Sequence, residues 1–269
     1  MRFALNHAIC PLLPIPKFLE LAATVGVDTV ELRDGMPPGW ELPPAANVLA
    51  YAPAAIAELS RNSGIGIVSI NALQRFDLWD RERADQARAL IDFAETASIP
   101  NLVLCPSVAE PGSAAAESHL EQALDGLQPM LESAGVRALI EPLGFTRSSL
   151  RYKAVADQAL ESRGTPACFG IVHDSFHHAV AGEQYYSPLT ALVHLSGVAD
   201  IGIPVEAWDD RLRILVDESD VMGNVEQVRT LMSTYDGIWS LEPFASEVGG
   251  SPTLADDLRR SIDFISANT

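Results

Sequence analysis

Short apolar runs alternate with amphipathic segments from one end of the chain to the other. Eight of these runs are rich in Val, Ile, Leu and Ala and have the length of buried strands. They cover residues 2–6, 28–33, 65–71, 101–105, 137–141, 168–174, 192–196 and 237–242. Strands that alternate with helices form parallel sheets, and eight such units in 269 residues match a closed barrel. The pattern therefore predicts an α/β fold, a single (β/α)8 TIM barrel over residues 1–269.

The segments between the strands carry the apolar spacing of helices. The predicted helices cover residues 15–25, 54–62, 80–97, 114–133, 152–162 and 254–267, and residues 34–53 and 197–220 are predicted loops. An open doubly wound sheet is the alternative, but such a sheet usually has fewer strands and a glycine-rich first turn. No G-x-G-x-x-G or Walker-type loop occurs in the sequence. The closed barrel is therefore favoured.

Four successive strands end in side chains that can bind a metal. The fifth to eighth predicted strands end at or near Glu141, Asp174, His194 and Glu242. In a barrel the carboxyl ends of the strands meet at one rim, so these side chains converge. Three carboxylates there would repel one another, and a divalent cation would remove that repulsion. One imidazole among three carboxylates favours Mn²⁺, Mg²⁺ or Co²⁺, with Zn²⁺ as an alternative.

Each of these four residues also has a purely structural interpretation. A glutamate at a strand end is often a helix cap or a salt-bridge partner, and His194 could be a hydrogen-bonded core histidine. Asp174 precedes Ser-Phe-His and could cap a helix. The coincidence on four successive strands is what favours a metal site over four separate structural roles.

Glu141 and Glu242 share a second feature, because each follows an apolar run and precedes a proline. A pair of carboxylates on opposite sides of a substrate can serve as general base and general acid. A metal bound to a substrate carbonyl and a neighbouring hydroxyl acidifies the α-carbon proton and stabilises the enediolate. These two glutamates are therefore the predicted catalytic residues of an aldose–ketose isomerase or a ketose 3-epimerase.

The segment His-Asp-Ser-Phe-His at residues 173–177 contains a recognisable motif. It resembles the D-[ST]-F-H segment of the xylose-isomerase-like barrel superfamily, within which the chain is most similar to the 2-keto-myo-inositol isomerases. Residues 30–33 and 69–73 are similar to the ends of the second and third strands of that family. The resemblance implies that His177 contacts the substrate and that four residues hold the metal, namely Glu141, Asp174, His194 and Glu242.

Three further residues are predicted to bind substrate. Asn71 lies in the segment that resembles the family's third strand ending, and His7 follows the first strand, where it could line the pocket. Asp210-Arg211 resembles a family pair whose arginine reaches into the site. The apolar walls of the pocket are predicted to include Trp79, Trp208 and Phe244.

The chain departs from the family pattern beyond His194. Family members often carry an acidic residue soon after this histidine, whereas here Leu-Ser-Gly-Val-Ala precedes Asp200. The family's Pro-Gly-x-Gly segment is replaced by Ile-Leu-Val-Asp-Glu-Ser-Asp at residues 214–220. These differences concern the loop that faces the substrate, while the predicted ligand set is intact.

Composition narrows the classes of partner. The chain has 36 acidic and 18 basic residues, and a net charge of −18 repels nucleic acid and anionic membranes. The cysteines Cys10, Cys105 and Cys168 are too few and too scattered for a disulfide framework or a cysteine-based zinc site. No apolar run approaches the roughly 20 residues of a membrane helix, and no secretory signal is recognised. We therefore expect a cytoplasmic protein.

The expected function is that of a divalent-metal-dependent isomerase or epimerase of a small, uncharged keto-polyol such as 2-keto-myo-inositol. Inosose dehydration and hydroxypyruvate isomerisation on the same barrel are the alternatives. An apurinic-site endonuclease shares the barrel but would need more histidines and a basic groove, which a net charge of −18 argues against. A non-catalytic sugar-binding protein is a further alternative. Homo-oligomer formation is compatible with the acidic surface.

Overall fold

Eight parallel strands close into a barrel in the part of the chain that the structure describes. In this computed structural model that part comprises residues 1–35, 42–110, 113–114, 116–199 and 202–269. The strands are β1 (Arg2–Asn6), β2 (Thr29–Arg33), β3 (Gly66–Gln74), β4 (Asn101–Cys105), β5 (Arg137–Ile140), β6 (Phe169–Asp174), β7 (Thr190–Leu195) and β8 (Ile238–Leu241). Each strand pairs in parallel with its neighbour in chain order, and β8 pairs with β1. The predicted (β/α)8 TIM barrel is confirmed.

The helices follow the strands around the barrel. They are α1 (Ile15–Val25), α2 (Pro53–Ser63), α3 (Arg81–Ala97), α4 (Leu120–Ala134), α5 (Lys153–Glu161), α6 (Ser175–Ala181), α7 (Asn224–Met232), α8 (Ser246–Gly249) and α9 (Leu254–Asn268). All six predicted helices are present, although α4 begins later than the predicted start at residue 114. The predictions for residues 34–53 and 114–133 include residues 36–41 and 115, which lie outside the described residues.

Helices α6, α7 and α8 were not predicted. Helices α6 and α8 have 7 and 4 residues, which is too short to show a clear apolar repeat. Helix α7 has 9 residues, as many as the predicted α5, so its length does not explain why it was missed. Helix α6 also begins directly after β6, without an intervening loop. Its Ncap residue is Asp174, whose side chain accepts a hydrogen bond from the backbone N–H of His177. A strand end and a helix start therefore coincide at one residue.

The register of the strands brings their carboxyl ends to one rim. Strands β6 and β7 pair Asp174 with His194, and β7 and β8 pair His194 with Ser240, two residues before Glu242. Because side chains alternate along a strand, residues at matching positions of adjacent strands point to the same side of the barrel wall. The rim of the barrel at the ends of β5 to β8 is where the predicted ligands lie.

Two apolar layers stabilise the barrel. The interior near the rim is filled by Ala72, Val103, Cys105, Leu139, Val172 and Leu192. A larger cluster, which includes Phe18, Leu90, Leu127, Trp239 and Ile265, lies between the strands and the helices. Among the described residues, no helix is long and apolar enough to cross a membrane.

The long loop between β7 and α7 is held in place by backbone pairing. Gly197 pairs with Ile214, and Ala199 pairs with Asp220. The Asp220 carboxylate accepts hydrogen bonds from the backbone N–H groups of Val198 and Asn224. The segment 214–220, where the chain departs from the family pattern, therefore builds the ladder that folds the loop back on itself. Residues 200 and 201 lie outside the described part of the chain.

Candidate metal centre

The four predicted ligand residues lie together at the carboxyl-end rim. Glu141, Asp174, His194 and Glu242 each offer a donor atom within 4.8 Å of the others, and all four side chains are buried. His194 Nδ1 lies 2.7 Å from Glu141 Oε1, 3.1 Å from Glu242 Oε2 and 3.9 Å from Asp174 Oδ2. Three carboxylates thus surround one ring nitrogen, which is the donor set of a small divalent cation.

Glu31, in the middle of β2, supports the other side of the His194 ring. Its carboxylate lies 3.1 Å from His194 Nε2, and it also accepts hydrogen bonds from Asn6 and Ser69. A carboxylate on one ring nitrogen holds the proton there and turns the lone pair of the other nitrogen toward a metal. Glu31 therefore selects the tautomer in which His194 Nδ1 can act as a ligand.

Two arginines enter the cluster. Arg213 Nη2 lies 2.6 Å from Asp174 Oδ2 and 2.9 Å from Glu242 Oε2, and Arg33 Nη1 lies 3.1 Å from Glu242 Oε1. Both guanidinium groups also lie over the ring of Phe244, at 4.7 Å and 5.4 Å from its centroid. Asp210, which is partly exposed, makes a further ion pair with Arg213. Both arginine side chains are buried, at 2% and 3% exposure.

The charges of the cluster match a divalent cation. The buried carboxylates of the cluster are those of Glu31, Glu141, Asp174 and Glu242, and its buried guanidinium groups are those of Arg33 and Arg213. With a neutral His194, four negative and two positive charges leave a net charge of −2. An uncompensated buried charge is strongly unfavourable, so an ion of charge +2 would complete the balance. The donor set and the charge balance both fit a divalent metal.

The pKa values respond to the same charges. Burial disfavours the charged forms, but the positive charges of His194 and Arg213 outweigh burial and lower the pKa of Glu242 to about 2. Burial would lower the pKa of His194, whereas Glu242, Glu31 and Glu141 raise it well above its ordinary value. A proton on this ring thus substitutes for a cation, and a metal would have to displace it.

The two predicted catalytic glutamates have different surroundings. Glu242 Oε1 accepts hydrogen bonds from Asn6 at 2.9 Å, Arg33 at 3.1 Å and Asn71 at 3.2 Å. Glu141 Oε2 accepts one from the thiol of Cys105, at 3.2 Å. Since a thiol is a weak donor, Glu141 is the less constrained carboxylate of the two.

Two of the predicted substrate-binding residues lie at the cluster. Asn71 donates to Glu242 through Nδ2, and its Oδ1 is buried without a hydrogen-bond partner among the described residues. His177 is buried beside Asp174, and its Nδ1 also has no partner there. Buried polar atoms normally have partners, so these two atoms are suited to contact a ligand.

Arg211 lies away from the predicted position in the site. It pairs with Asp209 at 2.5 Å and its side chain is 77% exposed, so Arg213, two residues later, is the arginine that enters the cluster. The ring of His7 is buried, stacks on Phe18 of α1 at 4.3 Å and bonds to the Leu13 carbonyl at 2.8 Å. Its Nδ1 is buried without a hydrogen-bond partner among the described residues, and its role in substrate binding stays a prediction.

The predicted apolar walls are only partly at the site. The Phe244 ring lies under the guanidinium groups of Arg33 and Arg213. Trp208, on the β7–α7 loop, stacks on Phe176 of α6.

The Trp79 ring packs against Gly126 of α4, and its place in the pocket wall stays a prediction. A Cβ atom at Gly126 would overlap the Trp79 ring, so a glycine is needed there. The sequence alone does not show which ring packs against that glycine.

Sequence reasoning assigned no role to Glu31, Arg33 or Arg213. Glu31 and Arg33 stand in the apolar run of β2, and a charged pair within a buried strand is a signal that could have identified them. Arg213 lies in an irregular loop with several charged neighbours, and nothing in its local sequence distinguishes it from Arg211. The fold of the loop alone selects it.

The chain belongs to the xylose isomerase-like TIM barrel family, whose model matches residues 19–267. In this chain the barrel of that family carries three carboxylates and a histidine together at its rim. No curated protein sequence gives a significant match.

Solved structures share the fold along the whole chain. A xylose isomerase domain-containing protein from Salmonella typhimurium is 31% identical, with a TM-score of 0.85 over 99% of this chain and 97% of that chain. The IolI protein, solved with a bound zinc atom, is 19% identical, with a TM-score of 0.80 over 100% and 99% of the two chains. D-psicose 3-epimerase from Clostridium cellulolyticum, solved with D-tagatose, is 13% identical, with a TM-score of 0.73 over 99% of each chain.

Proposed function

We propose that this protein is a divalent-metal-dependent isomerase or epimerase that acts on a small, uncharged keto-polyol such as 2-keto-myo-inositol. The observation that carries the proposal is the buried cluster of four ligand residues. Together with Glu31, Arg33 and Arg213 and with a neutral His194, this cluster has a net charge of −2. The zinc atom in the IolI structure and the sugar in the epimerase structure support the metal and the substrate class by analogy. The metal itself is proposed to be Mn²⁺, Mg²⁺ or Co²⁺, with Zn²⁺ as the competitor.

The metal would be held by Glu141, Asp174, His194 and Glu242. When bound, it would polarise the substrate carbonyl and stabilise negative charge that develops on the substrate oxygens. Glu31 would hold His194 in the ligating tautomer throughout.

Proton transfer is assigned to the paired glutamates. Glu141 is the proposed base, because a weak thiol donor is the contact that holds its Oε2. Glu242 is the proposed partner on the other side of the substrate. It is held by amide and guanidinium donors, which fix its orientation and lower its pKa. In an epimerisation one ionised glutamate would take the proton from the substrate carbon, and the other, after taking up a proton from solvent, would return one on the opposite face. In an isomerisation one glutamate would take the proton from one carbon and return it to the next.

Substrate orientation is assigned to three side chains around the glutamates. Asn71 Oδ1 can accept a hydrogen bond from a hydroxyl, and His177 Nδ1 offers a second polar contact. Arg213 carries further N–H groups beside Asp174 and Glu242, where they can meet a developing oxyanion. Several fixed donors and acceptors of this kind suit a polyhydroxylated substrate better than an apolar one.

The test combines metal content with proton exchange. The purified protein is stripped with EDTA, reloaded separately with each of the four metals, and incubated with 2-keto-myo-inositol and a panel of small ketoses in deuterated water. We expect one divalent ion per chain, metal-dependent incorporation of deuterium at the α-carbon, and a higher Tm for the loaded protein. Proton NMR of the products distinguishes isomerisation, epimerisation and dehydration.

The variants Glu141→Gln and Glu242→Gln should remain folded and lose at least about 100-fold in deuterium incorporation. The matched control is Glu20→Gln, since Glu20 pairs with Lys17 on the exposed face of α1. Sugar binding that EDTA leaves unchanged, together with no deuterium incorporation in any metal form, would identify a non-catalytic binding protein instead.

A further inference from the structure

The loop between β5 and α5 makes direct contact with the helix that carries His177. Gly144 packs so closely on α6 that a Cβ atom there would overlap the carbonyl oxygen of His177 and lie 2.8 Å from the backbone nitrogen of Ala181. The ring of the next residue, Phe145, meets the His177 ring edge-on at 5.0 Å. The loop therefore touches His177 through both backbone and side chain.

The same loop is internally closed. The backbone N–H of Leu143 donates to the carbonyl of Leu150, and that of Ser148 donates to the carbonyl of Phe145. It is also joined to the loop after β4, because the N–H of Ser149 donates to the carbonyl of Ser107. A loop with its own hydrogen bonds moves as a unit, so its contact with α6 constrains the first residue of the loop, Glu141, as well.

Arg151 connects this closed loop to α6. Its Nε donates to the carbonyl of Gly144 at 2.8 Å, and its Nη2 donates to the carbonyl of Val180 at 3.2 Å. Val180 is in the last turn of α6, where backbone carbonyls lack partners within the helix. One guanidinium group thus ties the loop to the end of the helix.

A buried ion pair reinforces the connection. Lys153, the first residue of α5, lies 2.6 Å from Glu183 and 3.0 Å from Nδ1 of His178. Glu183 follows α6 and also accepts hydrogen bonds from the backbone N–H groups of Lys153 and Ala154. Both ends of the β5–α5 loop are therefore held against α6 or the residues directly after it.

We propose that Arg151 is a positioning residue that locks the β5–α5 loop to α6 and thereby sets the placement of His177 relative to Glu141. The proposal rests on the proposed function for its catalytic consequence, because Glu141 is the proposed base and His177 a proposed substrate contact. A shift of about 1 Å in a reacting group can lower the reaction rate roughly 100-fold. Loss of the Arg151 hydrogen bonds would let α6 shift and would lower the rate, while the barrel stays folded.

The main variant is Arg151→Met, which removes both hydrogen bonds and keeps the length of the side chain. We expect faster hydrogen–deuterium exchange at the amides of residues 178–181 and an unchanged metal content. Substrate turnover should show a kcat lower by roughly 10- to 100-fold with a smaller change in KM. Arg151→Lys, which restores one donor, should recover part of the loss in kcat.

The matched control is Arg137→Met. Arg137 also donates to a backbone carbonyl, that of Phe169 at 3.2 Å, but it lies at the start of β5, at the opposite end of the barrel. A second pair compares Gly144→Ala with Gly66→Ala, because a Cβ at Gly66 would meet only the Asp28 carbonyl, at 3.6 Å. Both controls should leave amide exchange in α6 and kcat as they are in the wild type.

Unchanged exchange in α6 of the Arg151→Met protein would overturn the proposal, whatever the activity. Faster exchange with an unchanged kcat would overturn the positioning role of Arg151. If the wild-type protein turns over no ketose while Arg151→Met still loosens α6, the tie between loop and helix is supported and the proposed function is the part that fails.

Discussion

Arg213 and Arg211 show how finely a single position decides a role. The two residues are separated by one leucine, yet Arg213 is 1% exposed and pairs with two of the ligand carboxylates, whereas Arg211 lies on the surface with Asp209. Arg213 is further held by the hydroxyl of Ser196 at 3.0 Å. A guanidinium in such a position has a fixed orientation, which a lysine ammonium cannot reproduce.

Exchanging each arginine for lysine tests this difference. Arg213→Lys keeps the charge but loses the fixed fork, and hydrogen bonds to charged groups are worth about 1.5–3 kcal/mol, so kcat/KM should fall roughly 10- to 100-fold. Arg211→Lys, the matched control, should stay within about twofold of the wild type because surface ion pairs contribute little. Steady-state kinetics on the metal-loaded enzymes provides the measurement. A larger loss for Arg211→Lys than for Arg213→Lys would restore the role that the Asp-Arg motif suggested.

Polar side chains in the barrel wall hold the ligand residues in place through hydrogen bonds. Glu31, Asn6 and Ser69 do not belong to the four-residue ligand set, but they form a hydrogen-bonded network beneath His194 and Glu242. Such a network is rigid only when every member is satisfied. The rim that carries the four ligand residues is therefore built on a polar support inside the barrel as well as on the apolar layer.

At the scale of elements, β6 and α6 meet in one residue with two tasks. Asp174 Oδ1 accepts the backbone N–H of His177 at 2.9 Å and so caps α6, while Oδ2 faces Arg213 and His194. The structural and the metal-binding interpretations of this residue, which are alternatives in the sequence, are compatible because each uses a different oxygen. With Asp174 as its cap, α6 begins directly after β6.

Two substitutions at Asp174 separate these tasks. Asp174→Asn retains an oxygen that can cap α6 but loses the ligand charge, whereas Asp174→Ala loses both. Both variants should bind metal much more weakly, and Asp174→Ala should be less stable than Asp174→Asn by about 1 kcal/mol, the usual contribution of an N-cap. Urea unfolding in the presence of EDTA, together with metal analysis, measures the two effects separately. Equal stabilities of the two variants would show that the cap contributes nothing.

The elements themselves were largely predictable because they follow from local patterns. All eight strands are apolar runs of the right length, and a strand buried on both faces needs such a run. Long helices such as α3 show several apolar repeats, and α3 begins directly after Asp80, the first residue of the predicted helix. Very short helices such as α6 and α8 show too few repeats, so only the packing of the neighbouring elements reveals them.

At the scale of the whole molecule, buried histidines couple stability to pH. Burial lowers the pKa of His7 to about 4 and that of His178 to about 3, and a nearby positive charge, from Arg33 and from Lys153 respectively, adds to each shift. In the unfolded chain both rings would titrate near their ordinary pKa of 6.5. Below that pH the unfolded state therefore binds more protons than the folded state, and stability falls as the pH falls.

The loss should extend from about pH 6.5 down to about pH 4 for His7 and about pH 3 for His178. Each ring contributes a slope of up to about 1.4 kcal/mol per pH unit in this window. His178→Gln keeps an acceptor for Lys153 and should flatten the slope by one proton. Urea unfolding between about pH 4.5 and about pH 7.5, which covers the upper part of the window and the plateau above it, gives the slope directly. His119→Gln, at an exposed site before α4, is the control, and an equal slope in wild type and His178→Gln would contradict the argument.

The sequence by itself determined the barrel, its eight strands and the identity of the four residues that meet at its rim. It could do so because parallel strands in register must place their carboxyl ends together, so residues that are far apart in the chain become neighbours by topology alone. The tertiary structure decided which surrounding residues reach that rim. Arg213 rather than Arg211 enters it, Glu31 orients His194 from within the wall, and Arg151 ties the loop after Glu141 to α6. These contacts depend on loop paths and side-chain directions, which arise from packing across the whole molecule and leave no periodic trace in the chain.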